Sequence, residues 1–465
     1  MKLSILGLVV LAQALQSTAY PWMAAGSNAE RAYDASVHKR AVDVEPRAVD
    51  VQERAVNIEE RALLGGVLGG VVTGVGSAGS TIIGGVTGAL GNLVNGLASF
   101  GASNVGSNVF PDAAHPFQAP GSTDQRGVCP GLNALANHGY LPRNGIVTAQ
   151  QVIQATSEVF NMGEDLSALL CFIAVTYGGN LETQTFSIGG EDDRTYSASG
   201  VGSKAAGRHW GLDAHTRCES DASPTRQDFY MSTPAGDNHS MDPSRAKRMI
   251  QLAQKYNGLF STPAMNELFG QNSAMSIANN PKFSTGAAYT LVVMLAAYPI
   301  IPEFFSNGTY GAGGAPTLEN IAPLMGIKIN SDGTICAVPE QIPQNWYRRT
   351  TPYGIANVVA NAPGTLAAGN VLPSPFSNII QQGNANEIGC FLYQALSSES
   401  PASLTLGTTD GVSSLLTGLQ NQLLGGLPTL FGCSGAETAN GTSVPAFDAS
   451  LQAQGPGGDQ VYVCN

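Results

Sequence analysis

Cys129 stands immediately before Pro130, and the run Cys129-Pro-Gly-Leu-Asn-Ala-Leu-Ala-Asn-His-Gly-Tyr-Leu-Pro142 carries the signals that begin and end a helix. Proline suits the first helical turn, where its missing N–H costs nothing. Leu132, Leu135 and Ala136 fall on one face, and Gly139 with Pro142 stops the helix. A cysteine at that N-terminus feels the positive end of the helix dipole, which favours thiolate over thiol and makes a soft metal ligand or a nucleophile. A structural disulfide is the competing reading, because most cysteines of secreted proteins are paired. The chain has seven cysteines, at 129, 171, 218, 336, 390, 433 and 464, so at least one is unpaired.

A second chemical pattern is a decoy. Gly74-Val-Gly76-Ser-Ala-Gly79 matches the dinucleotide fingerprint and follows Val71-Val72. The fingerprint also needs a following helix and an acid about 20 residues on for the ribose. The first acid here is Asp112, too late, and in so glycine-rich a stretch the match is expected by chance.

Asp112-Ala-Ala-His115-Pro-Phe-Gln-Ala-Pro120, followed by the Cys129–Pro142 run, closely resembles the fungal heme-thiolate peroxidases, the chloroperoxidases and aromatic (unspecific) peroxygenases of the heme haloperoxidase family. The resemblance implies a mainly α, chloroperoxidase-like helical fold with Cys129 as the axial thiolate ligand of heme b. The family usually has Pro before the cysteine; Val128 departs from this, which predicts a local change in the entry to the helix.

Further matches extend the resemblance to about residues 110–435. Gly211-Leu-Asp-Ala-His215-Thr-Arg-Cys-Glu219-Ser-Asp221-Ala-Ser223-Pro-Thr-Arg226 is similar to the family segment that binds magnesium beside a heme propionate. A hard divalent ion takes oxygen ligands; by position Glu219 would supply a carboxylate, Ser220 a backbone carbonyl and Ser223 a hydroxyl. Ser220 replaces the family's Gly or His, and the site survives unless that residue needs positive φ. Without the resemblance, the string reads as a solvated turn. Gly236-Asp-Asn-His-Ser240 and Asn280-Pro281-Lys-Phe283-Ser284 also match, and Gly389-Cys390 with Gly432-Cys433 implies a disulfide between Cys390 and Cys433. Cys171, in an apolar helical run, reads as a buried free thiol.

One family feature is missing. Splitting peroxide at a heme needs a distal acid–base group, worth roughly 10²–10⁴ in rate, while the thiolate pushes electron density onto the iron. The resemblance implies a Glu after the Asn-Pro-x-Phe-Ser element, supported by Arg or by the His of the metal triplet. Between Leu268 and Pro302 the chain has no Asp, Glu, His or Arg, and only Lys282 is charged. The expected Glu falls at Leu295 or Ala296 and the Arg at Ala288 or Tyr289, while Ser220 removes the alternative His. Three readings follow. Glu303, the nearest carboxylate, takes over, although Pro299 and Pro302 separate it from the helix and surface exposure is the plainer expectation. Alternatively substrate or water relays the proton in a slow peroxidase with specialised substrates, or the chain binds heme or small molecules without efficient turnover. Met294, Leu295, Tyr289 and Tyr298 would line a pocket for aromatic or lipophilic molecules, or simply face the core.

The elements that present these residues sit inside a chain of 465 residues with 56 Gly, 12% charged and 43% hydrophobic residues. Its net charge of −12 argues against a nucleic-acid partner. Met1-Lys2, an apolar run from Leu3 to Leu15 and Ser17-Thr18-Ala19 have the layout of a secretory signal peptide over residues 1–19; the run is too short to span a bilayer. Residues 20–61 hold three seven-residue repeats beginning at Arg40, Arg47 and Arg54. Interrupted by Pro46 and polar at the seam, they read as a propeptide rather than a coiled coil. Residues 62–109 form a low-complexity, Gly-rich apolar linker, and a tail follows at 436–465. A surface or matrix protein associating through such arms is a third functional class, with no use for Cys129 or the Glu219 segment. Ser240, Thr309 and Thr442 complete glycosylation signals at Asn238, Asn307 and Asn440. The reading is a secreted heme-thiolate peroxidase or peroxygenase taking hydrogen peroxide and a small organic substrate.

Overall fold

A computed structural model describes residues 109–232, 236–283, 288–369, 385–398 and 410–433. The expected leader, the propeptide, all of the Gly-rich segment up to residue 108, the tail and Asn440 lie outside these residues. Eleven α-helices and six short strands make up the described part, so the mainly helical expectation holds there.

Helix α1 (Pro130–His138) starts on Cys129 as N-cap, with Pro130 in its first turn, and ends on Gly139 in the left-handed region at φ 79°. It is buried almost all round, Asn133, Asn137 and His138 included, rather than along one apolar face. Thr148 closes a capping box with Gln151 at the start of α2 (Ala149–Phe160). Helix α3 (Glu164–Gly178) is apolar on every side and carries both Glu164 and Asp165 in its first turn, where the dipole favours them. Helices α4 (Pro243–Lys255), α5 (Thr262–Asn279) and α6 (Ala288–Phe305) follow, then α7 (Leu318–Leu324), α8 (Ile355–Gly369), α9 (Ala385–Ser398), α10 (Asp410–Leu424) and α11 (Leu427–Phe431).

The strands form three two-stranded antiparallel ribbons. β1 (Val109–Phe110) pairs with β6 (Trp346–Tyr347), β2 (Ile146–Thr148) with β3 (Thr185–Ser187), and β4 (Ile327–Ile329) with β5 (Ile335–Ala337). Around them α2 and α10 pack on α3, α5 packs on α4, α6 and α8, and α9 packs on α11. One hydrophobic core runs through these contacts. The disulfide between Cys390 and Cys433 joins α9 to the end of α11, as the resemblance implies. Cys336 is disulfide-bonded as well, a pairing to which no local sequence signal points. Cys171 is buried and free, as expected, and so is Cys218. No helix among the described residues is long and apolar enough to cross a membrane.

Candidate active site

Cys129 and the Glu219 segment, 90 residues apart in sequence, line one cavity of about 230 Å³. Cys129 is half-buried because its thiol faces that space. Burial pushes the thiol's pKa up, against the pull of the Leu132 N–H, the Arg226 charge and the Gly131 N–H. The helix start thus favours the thiolate as the sequence suggests, without a cap hydrogen bond to the sulfur, but desolvation outweighs it; a bound metal ion is what would hold the thiolate form.

The loop before Cys129 is fixed from two directions. Asn133, one turn into α1, accepts from Gly127 N at 3.0 Å and donates to Gly127 O at 2.8 Å. Val128, in place of the family's Pro, donates its N–H to Asp213 Oδ1 at 2.9 Å. A side chain at Gly127 would strike Asp213 and the Ile188 carbonyl.

Glu219 is buried and divided between two duties. Its Oε2 accepts from His215 Nδ1 and from Asn238 Nδ2, each at 2.8 Å, while Oε1 has no partner. Ala222 holds the left-handed conformation at φ 60°; Ser220 is not among the residues with positive φ, so its replacement of Gly or His meets no backbone obstacle. The loop is braced through Ala222, whose N–H donates to Asp228 Oδ1 at 3.0 Å and whose carbonyl accepts from Tyr298 Oη at 2.5 Å. The Ser223 carbonyl accepts from Arg245 and Asn272, each at 3.0 Å. Together, Glu219, Ser220 and Ser223 line the cavity beside one another.

Helix α6 forms an apolar wall. Val293, Met294, Ala296, Ala297, Ile300 and Ile301 line the cavity. Of the two positions expected to carry the family's Glu, Ala296 is buried in this wall; the side chain of Leu295 lies outside the description, as do those of Ala288 and Tyr289. Met294 and Tyr298 line the cavity as expected, Tyr298 with its hydroxyl turned to the Ala222 loop.

Glu303 requires correction. The helix continues through Pro299 and Pro302, so Glu303 belongs to α6, and it is buried rather than exposed. It does not line the cavity; its Oε2 accepts from Arg349 Nη1 at 2.5 Å. Among the described lining residues Glu219 is the one carboxylate. Asn238 is corrected too: fully buried, with its amide nitrogen donating to Glu219 and to the Asp213 carbonyl, it offers no room for a glycan and lines the cavity instead. Asn307 is half-buried, and its Oδ1 accepts from Tyr347 N at 2.9 Å.

Several residues were not singled out in the sequence. His215 and Arg226 lie within Gly211–Arg226, but nothing in their spacing distinguishes them. Asp213 and Asn238 take their roles from long-range contacts. Glu340, alone between Pro339 and Gln341, gives no local signal, yet it is buried against Arg226 and Asn133 beneath α1. Burial pushes its carboxyl up, with Arg226 the largest opposing influence.

The residues present fit a heme held by thiolate. They offer a sulfur at a helix start, an apolar wall, and at the same cavity a buried carboxylate oxygen that still lacks a partner. The profile of the family described as Peroxidase, family 2 matches residues 115–351. The dothistromin biosynthesis peroxidase of Dothistroma septosporum is 30% identical over 344 residues, covering 67% of this chain and 79% of its own length. An aromatic peroxygenase of Coprinellus radians is 35% identical over 206 residues, 44% of this chain and 75% of its own length. A chloroperoxidase of Leptoxyphium fumago is 54% identical over 39 residues, 8% of this chain and 10% of its own length.

Proposed function

The chain belongs to Peroxidase, family 2, the fungal heme-thiolate peroxidases, a peroxide-using oxidoreductase, and from that premise we propose that Cys129 is the axial ligand of a heme b lying in the cavity between α1 and α6. The observation that carries this reading is the meeting of Cys129, the Glu219 segment and the apolar face of α6 around one space. When bound, the heme supplies the peroxide chemistry, with the thiolate donating electron density to the iron.

The chain's own residues do the rest. The backbone N–H groups of Gly131 and Leu132, at the start of α1, favour the thiolate form of Cys129. Glu219 Oε1, the Ser220 carbonyl and the Ser223 hydroxyl would hold Mg²⁺, in keeping with the all-oxygen preference of that ion. His215 and Asn238 occupy Oε2 and leave Oε1 without a protein partner, so that Oε1 would be the oxygen offered to the cation. The α6 wall excludes water and receives small aromatic or lipophilic substrates.

With Ala296 in the wall and Glu219 given to the cation, no carboxylate remains among the described lining residues to move the peroxide proton; substrate or water would carry it. The enzyme is therefore slow and specialised. Export follows a leader at 1–19 and removal of residues 20–61; residues 62–109 form a linker whose last residue, Val109, already pairs in β1, 110–435 the peroxidase domain and 436–465 a tail. Asn307 and Asn440 remain as glycosylation positions.

The test is spectroscopic. Purified holoprotein, reduced under carbon monoxide, is expected to show the far-shifted Soret band of thiolate-ligated iron, and Cys129→Ala to lose it with most of the bound heme. A wild-type spectrum without that band, or unchanged pigment in the variant, overturns the reading.

A further inference from the structure

Arg226 and Glu340 form an ion pair for which the reaction outlined above has no use. Arg226 Nη2 lies 2.8 Å from Glu340 Oε1, and both side chains are 1% exposed. Burying two charges carries a large desolvation cost, and well-packed apolar residues often do as well or better. Stability is thus a weak reason for placing this pair here.

Its connections lead to the cysteine. Glu340 Oε1 also accepts from Asn133 Nδ2 at 3.0 Å, the same amide that clasps both backbone groups of Gly127. Asn133 in turn sends its own N–H to the Cys129 carbonyl at 3.1 Å. Asn137, one turn further along α1, donates to the Glu340 carbonyl at 2.9 Å. The negative end of the pair is therefore fastened under the helix that presents the sulfur. The positive end reaches the cavity. Arg226 lines the cavity with Cys129, and its guanidinium is held there by the His239 carbonyl at 3.2 Å and Thr225 Oγ1 at 2.8 Å. A buried charge in these surroundings acts over a longer distance than one in water.

We propose that the Arg226–Glu340 pair sets the reduction potential of the iron bound to Cys129, Arg226 stabilising negative charge on the sulfur and Glu340 offsetting it through the same network that holds the cysteine loop. Both are positioning residues acting through the sulfur. The inference rests on the heme-thiolate reading, and the carbon monoxide spectrum of the wild type tests that reading by itself.

The measurement is the Fe(III)/Fe(II) midpoint potential of the holoprotein by optical redox titration. Glu340→Gln keeps an acceptor for Asn133 but leaves Arg226 uncompensated, and the potential rises. Arg226→Gln leaves the carboxylate uncompensated, and the potential falls. The double variant Arg226→Gln/Glu340→Gln carries neither charge and returns close to wild type, a cycle that isolates the pair. A purely structural role would shift every variant in one direction or none of them, and either result overturns the proposal. Should Arg226→Gln fail to retain heme, Glu340→Gln and the double variant decide the matter: a double variant that stays at the Glu340→Gln value also overturns it.

Discussion

The N–H of Val128 donates to Asp213 Oδ1 at 2.9 Å, tying the residue before the cysteine to a carboxylate 85 positions further on. The family's usual proline has no N–H to give. The substitution therefore changes more than the entry to a helix, because it supplies a donor to a buried acid. Burial pushes Asp213 up to about 6, against His239 and the Val128 N–H, with Glu219 and Asp237 adding to the rise. Val128→Pro is expected to destabilise the protein by about 1–3 kcal/mol through the acceptor it strands, read as a lower urea midpoint. Val128→Ala, which keeps the N–H, separates this loss from that of the side chain. Equal midpoints for Pro and Ala variants would show that the bond contributes nothing.

Ala296→Glu places a carboxyl in the apolar wall opposite the cysteine helix. Peroxide-dependent oxidation of a simple phenol is expected to quicken, by up to about 10²–10⁴-fold if the new group reaches the peroxide. Leu295→Glu is the neighbouring comparison. A wild type that is already fast, with no gain in either variant, would refute the account of the missing acid.

Glu303 is structural. Glu303→Ala strands the buried guanidinium of Arg349, which costs about 3–5 kcal/mol, yet turnover per bound heme should stay at the wild-type level. A variant that folds and binds heme but loses turnover would return Glu303 to the reaction.

His138 gives a pH dependence with a definite sign. Its Nδ1 donates to the His115 carbonyl at 2.9 Å and its Nε2 accepts from Ile342 N at 3.1 Å, so the buried ring is neutral. Burial depresses its pKa below 6.5. The unfolded chain takes up the proton first, so the stability His138 contributes is fully present above about pH 6.5 and declines as pH falls toward the folded pKa, by at most about 1.4 kcal/mol per unit. Urea denaturation of wild type and His138→Gln between pH 7.5 and 5 should show a steeper acid-side loss in wild type; parallel curves would exclude His138 as the cause.

Local signals were enough for α1. Pro130 and Gly139 mark its ends by backbone chemistry alone, and the cysteine at its start is visible because its neighbours fix the helix boundary. The resemblance then pointed to the Cys390–Cys433 bridge and to the Glu219–Ser223 loop, which lines the same cavity as the cysteine. The prolines misled. Pro299 and Pro302 look like a helix end, but in the packed protein α6 continues through them, because tertiary contacts override the local preference against proline.

What the sequence determined by itself was the chemistry on offer: a cysteine at a helix start, an acidic loop, and a long segment without acids or bases apart from one lysine. Which groups meet was decided by the tertiary structure. Only folding brings Asn238 from a glycosylation signal to the side of Glu219, puts Glu303 against Arg349 instead of the cavity, and seats Glu340 beneath the cysteine helix. The reason is that burial turns an exposed polar residue into one that must find a partner, and that partner lies tens to hundreds of residues away, where no local pattern records it.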